Sequence, residues 1–151
     1  PRRAAQVDRT VVASTGHESP RQALNAWLNL WRRYDLDALE DVFLVDPALT
    51  YFASDTEGVM QGWDAVRSYY EEQGFVPGGF SVTDELWLEN TLITDFEESA
   101  VVSAVWRFGN RVTPADAGRG PFTMVVVKTN TGFRVSHVNM ANYPRQAPSG
   151  D

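Results

Sequence analysis

The order in which two hydrophobic periods occur along the chain constrains its fold most. Leu24, Trp27, Leu28 and Trp31 recur at i, i+3, i+4 and i+7, the spacing that lines up one face of an α-helix. After Phe80 the pattern changes. Residues 87–94, 99–112, 122–129 and 133–142 are rich in Val, Thr and aromatics, the composition of strands. Helices first and strands afterwards predict an α+β domain rather than a parallel α/β sheet. At 151 residues the chain has the length of one domain with one full core.

Local signals divide the chain further. Ser19-Pro20 is a helix start, with Ser at the N-cap, Pro at the first helical position and Gln22 three residues after the cap. Arg32 and Arg33 suit its last turn. Asp35 or Asp37 can cap a short second helix carrying Leu36, Leu39, Val42 and Phe43. Asp46-Pro47 breaks that pattern. Residues 49–54 read as a strand followed by a turn at 55–58, and a third helix after Gly62 carries Val66, Tyr69 and Tyr70. Asn130-Thr131-Gly132 predicts an antiparallel hairpin between the last two strands. The expected organisation is a flexible arm over 1–18, one domain over 19–143 and a flexible tail over 144–151.

Charge and residue usage exclude whole classes of function. A net charge of -7 repels nucleic acid, and the Arg and Lys residues form no basic stripe. The absence of Cys removes thiolate catalysis and Cys-based metal sites. No apolar run reaches the roughly 20 residues of a membrane span, and a cytoplasmic location is expected. The two histidines, His17 and His137, show no metal-ligand spacing. No phosphate loop and no nucleophile elbow occurs. Neither metal nor cofactor is expected.

Three segments carry a family resemblance: Ala23-Leu24-Asn25-Ala26-Trp27; residues 43–52 followed by Gly62-Trp63-Asp64-Ala65-Val66-Arg67-Ser68-Tyr69-Tyr70; and the closing stretch 125–139 with Gly132, Phe133 and His137. The middle one resembles the DxDxxY…GxxAIRxxY signature of SnoaL-like proteins in the nuclear-transport-factor-2-like superfamily. The last resembles the closing hairpin of the same proteins and of the kinase II association domain. The resemblance covers about residues 19–142. It implies a cone-shaped barrel, in which a strongly curved, mostly antiparallel sheet packs on about three N-terminal helices around a pocket for a small apolar molecule. Activities on this fold differ widely. The expected function is small-molecule binding, extending to cofactor-independent acid–base chemistry of isomerase, lyase or cyclase type on a hydrophobic substrate. The alternative is a non-catalytic dimerisation or assembly module.

Strict alternation along the last strand places Phe133, Val135, His137, Asn139 and Ala141 on one face. On that reading His137 is the acid or base and Asn139 orients a substrate carbonyl; otherwise His137 is a hydrogen-bonded structural residue. In the ketosteroid isomerases the base stands on the first strand, where this chain has Tyr51. A phenol with a pKa of about 10 is a poor base, so Tyr51 is either an oxyanion donor or an aromatic wall residue. Glu89 is an acid or base if the Trp87 face of its strand is concave, and a solvated charge if the Leu86, Leu88 and Leu92 face is. Trp27, Trp31, Tyr34 and Trp106 are candidate pocket walls or ordinary core. Asp55 and Glu57 read as exposed turn formers. A homodimer is expected through the outer sheet face, with Val125, Val127, Val138 and Met140.

Overall fold

The computed structural model describes residues 17–144. The expected arm and tail lie outside the described residues except at positions 17, 18 and 144. The first helix, α1 (Pro20–Arg33), begins as its cap predicts, with Ser19 Oγ accepting the Gln22 N–H at 3.1 Å. It buries Ala23, Leu24, Trp27, Leu30 and Trp31 and ends on Tyr34 in the left-handed region, φ 52°. The expected second helix is split into a 3-10 turn, Leu36–Ala38, capped by Asp35, and α2 (Leu39–Val42). β1 (Thr50–Phe52), β2 (Met60–Gln61) and α3 (Trp63–Glu72) follow. Four long strands complete the chain: β3 (Glu85–Asp95), β4 (Ser99–Gly109), β5 (Gly118–Thr129) and β6 (Gly132–Met140).

The six strands form one sheet in the order β2-β1-β6-β5-β4-β3, antiparallel throughout except for the parallel β1–β6 pair. The architecture is the expected α+β one. A single core lies between α1 and the inner sheet face. There Trp27, tilted against Phe122 at 5.2 Å between ring centroids, joins Tyr51, Tyr70 and Phe43.

Two bulges decide which residues face that core. On β6, Val125 pairs with His137 and Val126 with Val135, so Ser136 is the extra residue. An extra residue reverses the alternation beyond it. Val135, Val138 and Met140 therefore point inward, opposite Val126, Met124 and Phe122. His137 and Asn139 fall on the outer face, beside Thr50 and Phe52 of β1. This corrects the expectation of a shared inner face for Val135, His137 and Asn139. It also corrects the expected dimer face, since Val138 and Met140 belong to the core while Val125 and Val127 do not.

The second bulge lies on β3, between Glu89 and Leu92. It contains Asn90 at φ 55°, a conformation that Asn tolerates better than most residues. Leu86 and Leu88 face inward before it and Ile93 after it, so Leu92 is exposed. The concave face is thus the Leu86–Leu88 one. Trp87 and Glu89 lie outside.

Candidate functional site

A cavity of about 320 Å³ opens between α1 and the inner sheet face. Trp31 of α1, Tyr34 at its cap, Leu86 of β3, Trp106 and Phe108 of β4, and Met140 of β6 supply its apolar wall. Trp106 reaches it because the indole N–H donates to Ala141 O at 2.6 Å, fixing the ring against the end of β6. Trp31 stands nearly perpendicular to Tyr34 (87°, 5.8 Å) and to Phe108 (74°, 6.3 Å).

The polar part of the wall is Ser54, Asp55, Tyr69 and Gln73. The turn after β1 and the last turns of α3 bring these together. The Tyr69 hydroxyl donates to Asp55 Oδ1 at 2.9 Å, and Gln73 Nε2 donates to Asp55 Oδ2 at 3.3 Å. Burial first, then neighbouring Tyr51 and Asp55, push the Tyr69 pKa upward. The hydroxyl therefore stays protonated and acts as a donor near neutral pH. Burial, then the charge of Asp84, raises that of Tyr34 as well.

The expected site residues divide between cavity, core and outer surface. Trp31, Tyr34 and Trp106 line the cavity. Trp27 is fully buried behind it, and its indole N–H donates to Tyr70 Oη at 3.0 Å. Tyr51 is equally buried and shares a 2.8 Å hydrogen bond with the Tyr70 hydroxyl. Burial holds the Tyr51 pKa well above the usual phenol value. Its hydroxyl is committed to the core and is not among the cavity-lining groups, which leaves no oxyanion for it to meet there.

Glu89 is not a carboxylate in an apolar cavity. On the outer face it meets Arg107 Nη1 at 3.2 Å and the Trp87 indole at 3.4 Å, while Arg107 and Arg111 lie 5.5 and 4.6 Å from the Trp87 ring centroid. His137 is likewise outside, its Nδ1 2.8 Å from Thr50 Oγ1 and its ring edge-on to Phe52 at 6.0 Å. Asn139 pairs with Thr123 and Phe52 there. The bulge at Ser136 is the physical reason that neither reaches the cavity.

From the sequence Asp55 reads as a turn former and Tyr69 as part of an apolar helix face, while Ser54 and Gln73 carry no site assignment; the structure gathers all four at the cavity. Asp55 is indeed an exposed turn residue, as expected. Its role as acceptor for Tyr69 depends on a contact across 14 positions. The one available signal was that Tyr69 and Gln73 share a helix face, four residues apart. Among the described residues, no group of three or more Asp, Glu and His is placed to hold a metal ion.

The histidine environment predicts an acid-sensitive stability. Burial lowers the His137 pKa, and burial followed by the Arg134 charge lowers that of His17. As pH falls below about 6.5, the unfolded chain takes up these protons before the folded one, so stability is lost on the acid side and full above it. The urea midpoint is expected to fall between about pH 7.5 and 5.5. His137→Asn is expected to flatten part of that fall, and an identical pH slope in the variant would contradict the assignment.

A family model described as "SnoaL-like domain" matches residues 21–141. No curated protein matches the sequence. A nuclear-transport-factor-2-like superfamily protein from Salmonella enterica serovar Typhimurium is similar over 86% of this chain and 92% of its own, at 22% identity and a TM-score of 0.64. A candidate ketosteroid isomerase from Parabacteroides distasonis is similar over 84% and 89%, at 13% identity and a TM-score of 0.63. A candidate dehydratase of the same superfamily from Streptomyces avermitilis is similar over 81% and 92%, at 16% identity and a TM-score of 0.63. At these identities the likeness is one of fold. No helix among the described residues is long and apolar enough to cross a membrane.

Proposed function

Because the chain belongs to the SnoaL-like domain family, we propose that it binds a small, largely apolar molecule in the cavity between α1 and the sheet. The observation that carries this reading is the wall itself, where the rings of Trp31, Trp106 and Phe108 adjoin the hydrogen-bonded Asp55, Tyr69 and Gln73 cluster. Mostly apolar walls with a few fixed polar groups are what a small-molecule site requires. The chemistry available to such a site is cofactor-independent proton transfer of isomerase, lyase or cyclase type. Asp55 supplies the proton acceptor, and the Tyr69 hydroxyl bonded to it holds that carboxylate in place. The names of the isomerase and dehydratase neighbours support this class of reaction without identifying a substrate.

A second reading has its own support. Phe52, Val101, Val105, Val125 and Val127 lie on the outer sheet face, and none belongs to the core cluster. A homodimer or assembly interface would cover them. Native mass spectrometry of the purified protein, followed by denaturing extraction, tests both readings. The expected result is a stoichiometric apolar molecule released on denaturation, with roughly tenfold weaker rebinding to Phe108→Ala. An empty protein at dimer mass, with no thermal shift across a panel of apolar ligands, would replace the binding reading with the assembly one.

A further inference from the structure

We propose that the ligand of this cavity is an organic cation, an ammonium group carried on an apolar or aryl body. The inference rests on the cavity being a binding site and specifies what it selects.

Two independent features of the wall point the same way. The first is aromatic density: Trp31, Tyr34, Tyr69, Trp106 and Phe108 all line one cavity of about 320 Å³. Trp31 meets Tyr34 and Phe108 at steep angles, 87° and 74°, so the rings form corners rather than a parallel stack. The face of an aromatic ring is the negative end of its quadrupole, so a wall this rich in rings favours a cation over a neutral group of the same shape.

The second feature is uncompensated negative charge. Asp55 accepts hydrogen bonds from three neutral donors, Thr56, Tyr69 and Gln73, and none of them offsets its charge. Among the described residues, no Lys, Arg or His lines the cavity and Asp55 takes part in no ion pair. Asp84 stands close enough to act on the Tyr34 hydroxyl through its charge. The whole chain carries -7, so the long-range field has the same sign. A carboxylate-bearing ligand would be repelled here. A neutral one would shield Asp55 from water without offering it a partner. An ammonium group satisfies both the rings and the carboxylate.

The test compares benzyltrimethylammonium with its neutral carbon isostere, neopentylbenzene, by tryptophan fluorescence titration and thermal shift on the intact chain. The cation is expected to bind about tenfold more tightly. Asp55→Asn keeps Oδ1 as acceptor for Tyr69, and the Gln73 amide turns over to accept from the new Nδ2–H, so the variant should retain the fold by circular dichroism while abolishing most of that preference. The affinity for neopentylbenzene should change far less than that for benzyltrimethylammonium. Equal or tighter binding of the neutral compound, or an unchanged preference in Asp55→Asn, would overturn the cation inference and leave the apolar-ligand reading standing. Binding of members of the apolar panel without benzyltrimethylammonium binding would do the same. If neither probe nor any panel member binds, both readings fall together.

Discussion

Replacement of Trp27 by alanine is expected to lower the unfolding free energy by about 3–5 kcal/mol, the range for truncating a buried aromatic ring. Domains of this kind are stable by only about 5–15 kcal/mol, so the variant should be unfolded in a large fraction of conditions that the parent tolerates. The location explains the size. Trp27 is fully buried on the inward face of α1 and packs against Phe122 of β5, so its loss opens the seam between helix and sheet. It also removes the N–H that donates to Tyr70, itself fully buried and bonded to Tyr51. The void left behind is lined mostly by apolar side chains, so a water that took the place of that donor would find few polar partners. Trp27→Phe separates the two contributions: it keeps most of the packing and loses the hydrogen bond, for an expected cost of about 1–3 kcal/mol. Urea unfolding followed by far-ultraviolet circular dichroism reads both. A Trp27→Ala midpoint close to the parent's would mean that the helix does not depend on this seam.

Gly120→Ala is expected to be the most damaging single-methyl change in the sheet. A Cβ at this position would stand 1.8 Å from Ala141 O, 2.7 Å from Ala141 C and 2.8 Å from Asn142 Cα. All three are backbone atoms, so no side chain can rotate away. The segment after β6 must move instead, and two hydrogen bonds end there: Ala141 N–H to Pro121 O at 3.1 Å, and the Trp106 indole N–H to Ala141 O at 2.6 Å. Overpacking costs about 1–3 kcal/mol, and stranding a buried indole donor costs about 1–3 kcal/mol more. A loss of about 2–6 kcal/mol is therefore expected in the same urea assay. Since Trp106 is a wall of the cavity, ligand-induced thermal shift should fall even where the variant is still folded. Parent-like stability in Gly120→Ala would show that the end of β6 is free to move outward.

Much of the architecture was legible in the residues. Ser19-Pro20 and the Leu24–Trp31 stripe announce α1 because capping and helical period are local properties. The four strands announce themselves in the same way, through β-branched and aromatic residues between turns. The aromatic wall was partly legible as well: Trp31, Tyr34 and Trp106 do meet at the cavity, although an aromatic stripe alone could equally have been core, as Trp27 is. β2, only two residues long, was too short to stand out from its turn.

Facing was the part that local reading could not supply. Alternation is a reliable rule only along an unbroken strand, and a single extra residue inverts it. Asn90 carried a faint signal, being a residue type that tolerates positive φ. Ser136 carried none, and it alone moved His137 and Asn139 from the cavity to the outer face. Asp55 shows the complementary case, a residue correctly read as an exposed turn former whose partners arrive from a different helix.

The chain's own residues thus determined its element types, their order, the α+β class and its strongly acidic character, because each depends on neighbours within a few positions or on simple composition. Tertiary structure alone decided the strand register, the side of the sheet on which each polar residue lies, and the meeting of Asp55 with Tyr69. Those depend on which backbone groups find partners across the sheet and on how α3 packs beside the turn after β1. That is a competition among long-range hydrogen bonds and buried surfaces, and it is not written in any one segment.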